Sequence, residues 1–83
     1  MIVGLCTVEL FIPDGYYLKA KRQVLLSLKD RLRDKFNVSV AEVGEQDLWQ
    51  KAVLGIACVA NEGAYVNQVL DQAVNLIRSV PAV

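Results

Sequence analysis

The chain has 83 residues, 54% of them apolar, and its nine basic and nine acidic side chains cancel to a net charge of zero. A body of that size buries only about 60% of its unfolded surface, so a single small domain over residues 1–83 is expected, with more apolar surface than it easily hides and self-association as the simplest outlet. The wealth of Val, Leu, Ile and Ala argues against disorder, no apolar run reaches the ~18 residues that span a bilayer, and the lack of any histidine removes the commonest general base and metal ligand.

The first strand is expected over Ile2 to Ile12. Ile2, Gly4, Cys6, Val8 and Leu10 take one face and Val3, Leu5, Thr7, Glu9 and Phe11 the other, so both faces are largely apolar, as in a centrally placed strand. No basic leader precedes these apolar residues and Glu9 follows soon, unlike a secretory signal, so a soluble cytoplasmic protein is expected. Cys6 and Cys58 are too far apart for a metal-binding pair and too few for a disulfide scaffold, and are read as reduced core residues. Pro13-Asp14-Gly15 is a turn-forming triplet that ends the strand, and Tyr16 and Tyr17 are expected to pack at the sheet end.

Leu18 to Phe36 reads as a helix, with Leu18, Leu25, Leu28, Leu32 and Phe36 recurring at helical spacing. Lys21 falls in the middle of this apolar stripe, one turn before Leu25, and is expected to snorkel past the sheet edge. A reactive lysine is the weaker alternative, since neither a phosphate loop nor a partner base accompanies it. Val38 to Val43 is a short strand closed by Gly44, and Glu45-Gln46-Asp47 is an acidic turn leading into Leu48-Trp49. Lys51 to Ala60 is a third strand, apolar on both faces. Asn61-Glu62-Gly63 then offers Asn61 as a helix N-cap. The second helix runs from about Ala64 to Ser79, with Val66, Val69, Ala73 and Ile77 among its apolar stripe and a nearly uncharged opposite side, and Pro81 blocks its continuation.

Neither helix can bury its stripe alone, so both are expected on one face of an antiparallel sheet in two layers. A right-handed crossover from the first strand to the second leaves room for the third between them. The expected fold is α+β, a ferredoxin-like two-layer sandwich of order β-α-β-β-α, with the final strand of that plan short or missing. The first strand then has a free edge and the second sheet face lacks a cover, and a homodimer would relieve both.

Charge is distributed unevenly. Lys19 to Lys35 holds seven basic and two acidic residues, a net +5, against two basic and seven acidic elsewhere, a net −5. On a helical wheel Lys19, Arg22, Lys29 and Arg33 lie within about 80° of one another, a basic stripe about four turns long. Asp30 and Asp34 flank it and dilute it without cancelling it. A solvated helix face is the commoner use of such charges; the sharper reading is contact with the phosphates of RNA, whose affinity falls steeply with salt. An aromatic stacking platform is not supported, because the third strand offers Leu54, Ile56, Ala57, Cys58 and Val59 where stacking rings would stand.

Asp47 and Trp49 form a candidate partner-binding loop, since Trp is enriched at interface hot spots, although a lone Trp more often caps a small core. The carboxylates of Glu45 and Asp47 are too few for a hard cation. No catalytic, metal or cofactor motif is found, and no enzyme activity, metal or cofactor is expected.

Leu18-Lys19-x-Lys21-Arg22, Phe36-Asn37-Val38-Ser39-Val40-Ala41-Glu42-Val43-Gly44, Gln46-Asp47-Leu48-Trp49-Gln50 and Leu54-Gly55-Ile56-Ala57-Cys58-Val59 together resemble the YlxP-like family of small bacterial proteins, over nearly the whole chain. The resemblance implies a ferredoxin-like fold and no established activity. It also implies a setting among genes for translation initiation and ribosome maturation, which favours RNA or a ribosomal subunit as partner. Relatives place a serine where Tyr17 stands and continue past the position of Pro81 into a final strand. The sequence thus supports a non-enzymatic binding domain that contacts RNA or the ribosome through Lys19, Arg22, Lys29 and Arg33. The alternative is a homo-oligomeric small-molecule sensor or scaffold that uses the open sheet face.

Overall fold

A computed structural model describes residues 1–11, 18–44 and 50–80. The turn at Pro13-Asp14-Gly15, Tyr16 and Tyr17, the loop candidates Asp47 and Trp49, and Pro81 lie outside the described residues. The elements run β1 (Ile2–Phe11), α1 (Leu18–Lys35), β2 (Val38–Gly44), β3 (Lys51–Ala60) and α2 (Gly63–Arg78). The three strands form one sheet of order β1-β3-β2, antiparallel at both junctions. This is the ferredoxin-like arrangement expected for β-α-β-β-α, with β1 at one edge, β2 at the other and β3 central.

Strand alternation decides the two faces. Gly4, Cys6, Val8 and Leu10 of β1 stand opposite Cys58, Ile56, Leu54 and Ala52 of β3, and this row, with Val40 of β2, faces the helices. Leu54, Ile56, Ala52, Cys58, Val40 and Leu10 are buried there, against Leu25, Leu28 and Leu32 of α1 and Val66, Val69, Ala73 and Ile77 of α2. Each of the leucine, isoleucine and valine side chains among them, fully buried, contributes about 1.5–3 kcal/mol of transfer free energy. Both cysteines are free thiols, Cys58 buried and Cys6 half-buried. Gly4 is small by necessity, because a Cβ there would collide with Cγ1 of Val66 and come within 2.9 Å of Cδ1 of Leu70. Glycine is therefore what lets α2 lie close on β1.

Several boundaries differ from expectation. The last helical bond of α1 is Phe36 N–H to Leu32 O, and the helix ends at Lys35 as Val38 N–H donates to Phe36 O, turning the chain into β2. Arg33 and Lys35 in that last turn suit the negative end of the helix dipole. β2 extends to Gly44, with a register shift between Glu42 and Gly44 that leaves Val43 unpaired. The N-cap of α2 is Glu62 rather than Asn61: Glu62 has extended backbone and its C=O accepts from Val66 N–H, so the helix starts one residue later than an Asn61 cap requires. No helix among the described residues is long and apolar enough to cross a membrane.

Candidate functional site

α1 packs on β2 through a flank of Lys21, Leu25, Leu28 and Leu32, all buried. Lys21 does not snorkel. It is 1% exposed, and its Nζ lies 2.9 Å from Oε2 of Glu42 on the helix-facing side of β2. Taking a lysine from water costs several kcal/mol, and a carboxylate at contact distance offsets most of that. The pair joins α1 to β2 at one register, and it takes one of the seven basic charges of the segment out of the surface.

The basic stripe begins where that flank ends. Lys19 and Arg22 are exposed, Lys29 is half-buried and Arg33 is exposed. The Arg33 guanidinium reaches down to β2, its Nη2 donating to Val40 O at 2.9 Å. This bond places the stripe over the β2 edge of the sheet, on the side of α1 away from α2, and removes part of Arg33's hydrogen-bonding capacity from any ligand. Among the described residues the ion pairs are Lys21 with Glu42 and Lys51 with Glu9. Neither involves the stripe. Asp30 and Asp34 are exposed beside it and form no ion pair with it. Leu26, 56% exposed, stands within the stripe as its apolar member. Lys35, at the end of the helix, lies 5.8 Å from the Phe36 ring centroid, within reach of a cation–π attraction.

Of the four predicted site residues, the structure therefore keeps Lys19, Arg22 and Lys29 available and commits Arg33 in part to the fold. Glu42 is the residue the sequence reading passed over. Its signal was present: it is the single acidic residue alternating with Val38 and Val40 on an inward row, opposite the single cation in the stripe of α1.

The far face of the sheet is a second surface. Val3, Leu5 and Phe11 of β1 are 52%, 78% and 64% exposed, and Val43 and Val59 about half exposed. Val43 leans over Gly55, whose Cβ position lies 2.9 Å from Val43 Cγ1. Around them is a shallow, mostly apolar depression of about 420 Å³ bordered by Leu5, Thr7, Ala41 and Ala57.

A family model described as "Protein of unknown function (DUF503)" matches residues 3–83. The chain is 37% identical over 82 residues to a protein of Bacillus subtilis (strain 168) named "Uncharacterized protein YlxP", an alignment covering 99% of this chain and 89% of that relative.

Proposed function

The chain belongs to the DUF503 family, and we propose that it is a non-enzymatic, cytoplasmic binding protein whose α1 stripe of Lys19, Arg22, Lys29 and Arg33 contacts the phosphates of structured RNA, on its own or within a ribosomal subunit. The carrying observation is that the stripe stays uncompensated. The one lysine of the helix that meets a carboxylate does so inside the protein, while the four on the surface have no acidic partner among the described residues. Such a row favours backbone and shape over sequence, since stacking aromatics are lacking on β3. Four phosphate contacts to a duplex give a log–log salt slope of about −3.6, so affinity falls about a hundred-fold between 50 and 200 mM salt. A fluorescence titration of the protein against a labelled ribosomal RNA hairpin across that range reads the slope directly. A slope near zero overturns the proposal.

A second reading rests on the apolar far face. Val3, Leu5, Phe11, Val43 and Val59 form an exposed row of the kind that marks interaction sites, and it supports a homodimeric sensor or scaffold that holds an apolar small molecule there. That ligand would raise the melting temperature, and reversing the α1 charges would leave the rise unchanged.

A further inference from the structure

Two contacts hold α1 at one rotation on the sheet. The buried pair of Lys21 and Glu42 at 2.9 Å pins its inner flank, and the Arg33 guanidinium on Val40 O pins the side next to β2. The stripe is therefore a fixed row about one side chain wide. β2 borders it on one side, and the exposed carboxylates of Asp30 and Asp34 border it on the other, where they repel phosphates. Within the row the cations are unevenly spaced. Lys19 and Arg22 stand towards one end, Lys29 and Arg33 towards the other, and Leu26, 56% exposed, stands between the two pairs. At 1.5 Å of rise per residue the gap from Arg22 to Lys29 is ~10 Å, and the two pairs are centred ~16 Å apart.

That spacing discriminates between the ways a cationic row can meet a nucleic acid. A single strand followed along its length calls for an unbroken charged groove with aromatic rings for the bases, whereas the middle of this row is aliphatic. The minor groove of B-form DNA, ~6 Å wide, is narrower than the separation of the two pairs. Its major groove is ~8.5 Å deep and takes a helix that stands clear of its own protein, but α1 is tied to β2 along the side that carries the cations. A wide, shallow groove has neither conflict. The minor groove of an A-form RNA duplex is of that kind, and it displays ribose 2′-hydroxyls between its two lines of phosphates.

We infer that α1 lies across the minor groove of an A-form RNA duplex, with Lys19 and Arg22 on the phosphates of one strand, Lys29 and Arg33 on those of the other, and Leu26 against the ribose edges between them. The inference rests on the phosphate-binding reading of α1 and adds to it the class of RNA, the groove and a fifth contacting residue. Leu26 offers nothing to a phosphate, but over the sugars of a shallow groove it buries apolar surface. Arg33 gives one of its five N–H donors to Val40 O and keeps the others for a phosphate. Because the row is fixed by the fold before RNA arrives, little side-chain and helix ordering opposes binding. Contacts to sugar and phosphate carry no base readout, so duplexes of different sequence bind alike.

Fluorescence anisotropy of the full chain against three labelled probes of one mixed sequence tests this: an RNA duplex of about 20 base pairs, its single strand, and the corresponding DNA duplex, across about 50–200 mM salt. The RNA duplex is expected to bind about tenfold or more tighter than either of the others. Leu26→Ala is expected to lower that affinity about fivefold, with the salt slope unchanged because the phosphate contacts remain, and with the melting temperature of the protein preserved as at other exposed positions. Affinity for the single strand or the DNA duplex equal to or above that for the RNA duplex overturns the inference and leaves the phosphate reading standing, as does a Leu26→Ala chain that binds the duplex as the parent does. Salt-independent binding, or no binding to any of the three probes at about 50 mM salt, overturns both.

Discussion

A charged residue inside an apolar stripe has to be accounted for atom by atom. Lys21 sits at a helix position where leucine would be expected, and Glu42 at a strand position where valine would be, and the two meet at 2.9 Å. Removing one partner of a buried pair is costlier than removing both, because it strands a charge in a poorly solvated place. Glu42→Ala is therefore expected to destabilise the protein by about 3 kcal/mol, moderated because Glu42 itself keeps 19% exposure. The double variant Lys21→Met, Glu42→Leu should recover most of that loss, and urea denaturation of the four members of the cycle measures it. A cycle with no coupling between the two positions would show that the pair does not hold α1 on β2. At this scale the sequence was legible only in part. The wheel position of Lys21 was plain, but the long lysine stem allowed an exit to water as readily as a buried partner, and choosing between them needs the distance to β2.

Element identity was far easier to read. The periodicities of α1, α2 and the three strands separate cleanly, so each element falls within a residue or two of its expected span. Ends were harder, since they depend on single hydrogen bonds: Asn61 has the better capping chemistry, yet it is the C=O of Glu62 that accepts from Val66 N–H, and no side-chain cap is made. Glu62→Asp keeps the charge and shortens the side chain to capping length, and is expected to add about 1 kcal/mol, seen as a rise of about 4–8 °C in melting temperature. The glycines of β1 and α2 give a contrast on the same assay. Gly4→Ala must displace Val66 and Leu70 and should cost about 1–3 kcal/mol, with Val66→Ala in the same chain relieving it. Gly63→Ala meets nothing within 4 Å and should be neutral or stabilising by up to about 1 kcal/mol.

For the whole molecule, the sheet order makes functional separation possible. β3 in the centre leaves β1 and β2 as the two unlike edges of the described sheet, one largely apolar, the other beside the basic side of α1. The lopsided charge was legible from counting residues along the chain. Where it sits was not, because a wheel gives the angle of a stripe about its own helix but not which neighbour it faces; the bond from Arg33 to Val40 O supplies that. The same bond means that Arg33 should be tested apart from the other three, since its replacement disturbs the β2 edge as well as the surface charge. Arg33→Gln is expected to lower thermal stability measurably, by about 1 kcal/mol or more for the lost charge-assisted bond, while Lys19→Gln and Arg22→Gln stay within about 0.5 kcal/mol of the parent, as exposed positions do.

The central claim, that α1 presents a phosphate-binding row, is tested most directly by the triple variant Lys19→Glu, Arg22→Glu, Lys29→Glu, which leaves Arg33, Lys21 and the core untouched. Its affinity for purified ribosomal RNA at about 100 mM salt is compared with the parent's, with melting curves of both to confirm the fold. A loss of about a hundred-fold or more, with the melting temperature preserved, is the expected result. Equal affinity for the two proteins, within about twofold, would contradict it.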